Sequence, residues 1–213
     1  MNTPGKSQGY YESERADMLR YIPATVRTTL EFGCGCGGFS ALLKARSGVE
    51  SWAVEVEETA AHEAARRLDK VICADAHVAV AEIPDRRFDC IIFFDVLEHL
   101  VDPYSLLLAV KPKLTAKGVV VASIPNIRYY RTFLKFVVHG DWQHEDQGIM
   151  DRTHLRFFTY KSIGNTFQRL AYRILTLEGI HPTSSRTYRL LNGILLNALW
   201  DVRYQHFVVV AAP

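Results

Sequence analysis

Short apolar runs alternate along the chain with segments whose apolar positions recur at helical spacing. This pattern predicts an α/β fold with a parallel sheet covered by helices on both faces. Thr28 to Phe32 reads as the first strand, Ser51 to Glu55 as the second, Lys70 to Asp75 as the third, Phe88 to Phe94 as the fourth and Val119 to Ile124 as the fifth. After the second strand, Ala60, Ala61, Ala64, Ala65 and Leu68 share one helical face. Asp102-Pro103 supplies an N-cap and a first-turn proline for a helix over Tyr104 to Lys113. Beyond a helix at Lys161 to Leu170 the simple alternation ends. Strands at Tyr172 to Gly179 and His206 to Ala211 are joined by a connection too short for an ordinary crossover, which favours an antiparallel last strand.

Two insertions interrupt the pattern. Residues 126–160 are long for a loop and rich in aromatics and histidines, which marks a lid or substrate-binding segment without a periodic apolar face over 126–151. Residues 184–202 place Leu190, Leu191, Ile194, Leu195, Ala198 and Leu199 at helical spacing. The simpler expectation is a helix covering the core, and the alternative is a homodimer or lipid-facing surface.

Composition narrows the class. A chain of 213 residues with 48% hydrophobic content can bury one substantial core, so a single domain over 1–213 is expected. The net charge of +2 gives no strong field toward nucleic acid or an anionic membrane, and Arg128-Tyr129-Tyr130-Arg131 alone is a weak RNA signal. Met1 to Asp17 is polar and unlike a signal peptide, and no apolar run is long enough to span a bilayer. The cytoplasm is therefore the expected location. Of the four cysteines, Cys34 and Cys36 lie in a glycine-rich run and Cys73 and Cys90 in strands, so all four read as small buried residues.

That glycine-rich run, Glu31-Phe32-Gly33-Cys34-Gly35-Cys36-Gly37-Gly38, follows a strand and opens a helix. Its glycines let the main chain approach a ligand closely, and the helix start offers free N–H groups. Gly33, Gly35 and Gly38 also satisfy the G-x-G-x-x-G spacing of a dinucleotide site. Glu31 argues against a pyrophosphate: a carboxylate there repels phosphate and attracts a cation, and S-adenosylmethionine (SAM) carries an ammonium and a sulfonium.

The run Glu31 to Gly37 resembles the first motif of class I SAM-dependent methyltransferases. Phe88 to Leu100 is similar to that family's fourth strand and following loop, and Lys117 to Asn126 to its fifth strand. The branch it resembles most contains bacterial ubiquinone-pathway O-methyltransferases and enzymes of glycan synthesis. The resemblance implies a Rossmann-like sheet of seven strands in the order 3-2-1-4-5-7-6 with the last strand reversed. It implies SAM as cofactor, with Glu31 near the methionine ammonium and Gly33, Cys34, Gly35 and Gly37 leaving room for the amino-acid portion. Glu55 and its neighbour Val56 would meet the ribose, with Glu57 the competing acid, while Asp75 and Ala76 would meet adenine and Asp95 would stand after the fourth strand. For Asp75 the alternative is a helix N-cap. Tyr10, Tyr11 and Arg15 would either close over SAM or pack on the sheet.

SAM carries an activated methyl group, so the protein must hold an acceptor in line and remove its proton. His99 is a candidate base. Asp95, Glu98, His99 and His154 together resemble the divalent-metal site of small-RNA 2′-O-methyltransferases and some ubiquinone-pathway enzymes, with Asp95 where those enzymes usually carry Glu. Such a set suits Mg²⁺ or Mn²⁺, and the alternative is a capped loop in which His154 donates to the backbone. The expected activity is O-methylation of a small hydroxylated or glycan-linked acceptor. Its rivals are an NAD-dependent oxidoreductase and a SAM-binding module without turnover.

Overall fold

The computed structural model describes residues 15–213, so Tyr10 and Tyr11 lie outside the described residues. Its strands are β1 (Thr28–Phe32), β2 (Glu50–Glu55), β3 (Lys70–Cys73), β4 (Phe88–Phe94), β5 (Leu114–Pro125), β6 (Arg173–Pro182) and β7 (Tyr204–Ala212). The helices are α1 (Gly38–Ser47), α2 (Glu58–Ala65), α3 (Ala76–Ala79), α4 (Pro103–Val110), α5 (Tyr130–His139), α6 (Tyr160–Arg169) and α7 (Arg186–Ile194). The strands form one seven-stranded mixed sheet in the order β3-β2-β1-β4-β5-β7-β6. β1 pairs in parallel with both β2 and β4, and β2 with β3. Thr183 N donates to Arg203 O at 2.8 Å, so the end of β6 meets the start of β7. Asn126 N likewise donates to Gln205 O at 2.9 Å, just past the end of β5. Both contacts require β7 to run against its neighbours.

The chain divides into two compact units. One comprises residues up to Phe93 with Ser105–Val121 and the last two residues; the other comprises Phe94–Tyr104 and Ala122–Ala211. In the first, Leu30, Phe32, Ala53, Val54, Ile91, Ile92 and Phe93 are buried on neighbouring parallel strands. The Phe32 and Phe93 rings stack with centroids 4.9 Å apart. Near-continuous apolar strands of this kind are what a sheet buried on both faces requires. In the second, Ile163, Phe167, Tyr172, Ile180 and Phe207 are buried, with Tyr160 edge-on to Phe207 at 5.3 Å.

Several expectations need correction. Residues 126–160 are not one long loop, because α5 occupies their first part. Asn126, fully buried, ties that segment down: its amide donates to Asp201 O and Tyr204 O, each at 2.9 Å. Farther along, Trp142 packs edge-on against Phe136 at 5.6 Å and against Phe157 at 5.2 Å. The helix expected over 184–202 ends at Ile194 and does not lay its apolar side on the core, since Leu190 and Ile194 are each 67% exposed and Leu196, in the turn beyond, is 91% exposed. Cys34 and Cys90 are buried as expected, but Cys36 is half-buried and Cys73 exposed. Ala65 is exposed too, leaving Ala60, Ala61 and Ala64 as the buried face of α2.

Candidate functional site

The glycine run forms a tight turn between β1 and α1. Gly33, Gly35 and Gly37 all take positive φ, at 67°, 54° and 77°. At Gly37 a side chain would also meet Ala64 Cβ and Leu68 Cδ1, both 3.2 Å from an added Cβ, so α2 packs directly against the turn. Glu55, at the end of β2, braces the turn from the other side. Its Oε2 accepts from Gly35 N at 2.8 Å and its Oε1 from Val56 N and Glu57 N at 2.9 and 3.0 Å. A carboxylate retains further acceptor sites after these bonds.

Glu31 points from β1 under the turn and accepts a 2.6 Å hydrogen bond from Ser40 Oγ in α1. It is 4% exposed, and burial pushes its carboxyl up to about 7 despite that bond and the nearby Arg15 charge. Ionised above that value, the buried carboxylate would attract a cation. Burial also pushes the Cys34 and Cys90 thiols far up, so they stay neutral and are poor metal ligands. Asp75 is the N-cap of α3 through His77 N at 2.8 Å, and Ala76 is the first residue of that helix. Glu57 caps α2 through Thr59 N and Ala60 N. Val56, between the two acids, exposes 70% of its surface.

In the second unit Glu98, His99 and His154 converge, although 55 positions separate the two histidines in sequence. Each offers a ligand atom, and these atoms all lie within 4.8 Å of one another. Glu98 and His154 are buried, and His154 Nε2 is 3.9 Å from Glu98 Oε1. The His99 and His154 rings meet edge to face with centroids 4.6 Å apart. The backbone locks this arrangement: Leu155 N and Arg156 N donate to Glu98 O at 2.8 and 3.0 Å. His154 Nδ1 lies 2.9 Å from Ile149 O, which can only accept, so that nitrogen carries a proton. The same logic holds for His99. Its Nδ1 faces Thr153 O at 3.2 Å and Thr153 Oγ1 at 3.0 Å, and that hydroxyl donates to Asp151 Oδ1 at 2.6 Å. Second partners of this type fix imidazole tautomer and orientation in metal sites.

Residues 6–177 match the methyltransferase domain family. The chain belongs to that family. A probable SAM-dependent methyltransferase of Mycobacterium tuberculosis is 33% identical over 102 residues, covering 48% of this chain and 37% of that protein. The chain thus spans little more than a third of the length of the curated relatives it matches. A SAM-dependent methyltransferase from Archaeoglobus fulgidus has the same fold with a TM-score of 0.72 and 21% identity, over 93% of this chain and 92% of that one. The [4+2]-cyclase SpnF shares the fold too, with a TM-score of 0.62 and 16% identity over 92% of this chain and 79% of its own. The fold alone therefore does not fix a reaction.

In a methyltransferase domain the cofactor is SAM, and the nicotinamide reading falls away. Asp95 does not join the three-residue group of this domain. Its Oδ1 accepts from Ser123 Oγ at 2.8 Å and lies 3.8 Å from His206 Nε2, and its backbone is left-handed at φ 55°. Of the four residues expected to hold a metal, three come together and Asp95 stands apart. Sequence reasoning gave no role to Ser40, Thr153, Asp151 or His206. Ser40 and Asp151-Arg152-Thr153 flank motifs already singled out, so their closeness in sequence was an available signal. His206 gave none, because it reaches Asp95 from β7.

Proposed function

We propose that this methyltransferase domain transfers a methyl group from SAM to a hydroxyl of a small or glycan-linked acceptor. Glu98, His99 and His154 would hold a divalent ion beside that hydroxyl. The gathering of these three side chains is the observation that carries the reading. Two imidazoles and one carboxylate suit Mn²⁺ or another first-row ion somewhat better than Mg²⁺. With bonds of about 2.1 Å, ligand atoms sit roughly 3 to 4 Å apart, so a spread of 4.8 Å needs only a small inward movement. When bound, the ion would lower the pKa of the acceptor hydroxyl.

The chain's own groups do the rest. Glu31 would attract the methionine ammonium, and the turn from Gly33 through Cys34 and Gly35 to Gly37 would admit the amino-acid portion. Glu55 would take the ribose hydroxyls, Val56 would offer an apolar surface, and Asp75 with the Ala76 N–H would meet adenine. A cavity of about 270 Å³, lined in part by Tyr129, Phe136, Trp142, Ile149 and Met150, supports an acceptor site. Ile149 also holds His154 through its carbonyl, so the cavity wall and the three-residue group share a support. One alternative is favoured by Thr153, whose carbonyl and hydroxyl orient His99 through Nδ1: His99 would act as general base without an ion.

Electron paramagnetic resonance of added Mn²⁺ separates these readings. The chain should bind Mn²⁺, and His154→Ala or Glu98→Gln should weaken binding at least about tenfold while SAM affinity is retained. With an acceptor in hand, EDTA should stop transfer and Mn²⁺ restore it. Activity indifferent to EDTA, falling as acid protonates His99, supports the general base and removes the ion.

A further inference from the structure

The net charge of the chain hides a local asymmetry. Residues 126–140 and 183–203 contain Arg128, Arg131, Lys135, Arg186, Arg189 and Arg203 but only one acid, Asp201. That acid pairs with Arg128, and Glu145 from outside these segments pairs with Lys135, each at 2.7 Å, so Arg131, Arg186 and Arg189 carry the charge offered to a ligand. These segments carry α5 and α7, whose roots meet where the Tyr130 and Tyr188 rings lie 6.1 Å apart. Both helices expose large apolar side chains. Val137 and Val138 on α5 are 59% and 65% exposed, and Leu190 and Ile194 on α7 are each 67% exposed. At their shared base is a cavity of about 510 Å³ lined by Arg131, Lys135, Thr183, Ser184 and Ser185, with Leu134 and Val138 on its apolar side. Arg131 and hydroxyls stand at the opening, and aliphatic carbon continues from it onto the helix. That gradation is the chemistry of a phospholipid: anionic phosphate head, apolar tail.

We infer that α5 and α7 form a docking face for an anionic membrane surface, with the cavity at their base receiving a lipid phosphate. The charge pattern chooses this occupant over a second copy of the chain. A two-fold interface would set Arg131, Arg186 and Arg189 against their own copies, at a repulsive cost, whereas anionic lipid answers the cations and the leucines together. No helix among the described residues is long and apolar enough to cross a membrane, so the contact would be peripheral. Arg131 and Lys135 line both this cavity and the one proposed for the acceptor, whereas Glu98, His99 and His154 line neither.

The test is co-sedimentation of the full chain with vesicles of phosphatidylcholine alone and of equal parts phosphatidylcholine and phosphatidylglycerol. The chain should pellet with the anionic vesicles only, and raising the salt should release it. Arg131→Glu with Arg189→Glu, and separately Leu190→Ser with Ile194→Ser, should each cut binding at least about tenfold. All four side chains are exposed, and retained SAM binding reports an intact fold. Failure to pellet with anionic vesicles, equal pelleting with neutral ones, or two pairs of substitutions without effect would overturn the inference. So would a dimer in light scattering that Leu190→Ser with Ile194→Ser dissolves.

Discussion

Glu31 is the residue where stability and function pull in opposite directions. Burial raises its carboxyl from 4.5 to about 7, so the folded chain holds a proton there between those values that the unfolded chain has lost. Folding stability therefore falls as pH rises through that window, by roughly 3 kcal/mol in all. Glu31→Gln should raise the melting temperature of the SAM-free protein at pH 8 and change it little at pH 5, as read by calorimetric scans. The same substitution should weaken SAM. In the parent chain SAM affinity should drop as pH falls from 8 to 6, because a proton competes with the cationic ligand, and the glutamine variant should lose that dependence. Glu55→Ala should also weaken SAM, by roughly 1 to 3 kcal/mol, since it removes a charge-assisted acceptor and the brace on Gly35.

Among elements, the turn and the insertion depend on single residues. Gly37→Val should destabilise the fold and abolish SAM binding together, because it places a β-branched side chain at φ 77° against α2. Asn126→Ala should cost about 1 to 3 kcal/mol in chemical denaturation by leaving the carbonyls of Asp201 and Tyr204 without their donor. What the sequence disclosed follows from the same physics. β4 was legible to the residue because Cys90 to Phe94 is an unbroken apolar run, and β1 because the glycine turn marks its end at Phe32. The start of β5 was not, since Thr115-Ala116-Lys117-Gly118 is weakly apolar; at Gly118 an added Cβ would lie 2.8 Å from Phe88 O. α5 was legible too: Tyr130, Phe133, Leu134, Val137 and Val138 recur at helical spacing, so the expectation of no periodic apolar face over 126–151 was wrong, and burial alone sets α5 apart, since Val137 and Val138 are exposed. At the site, the pairing of His99 with His154 was visible only through family resemblance, and the diversion of Asp95 required knowing where β7 places His206.

For the whole molecule, the proposed cofactor cradle comprises Glu31, the glycine turn and Glu55 within a methyltransferase domain. Family and fold leave the acceptor open, and the fold also serves a cyclase, so the cradle must be tested before the chemistry. Isothermal titration calorimetry of the parent chain with SAM and, separately, with NAD does this without knowledge of any acceptor. The account predicts saturable SAM binding weakened by Glu31→Ala and by Glu55→Ala, with no detectable heat from NAD. Equal binding of NAD and SAM, or SAM binding indifferent to both substitutions, would contradict it.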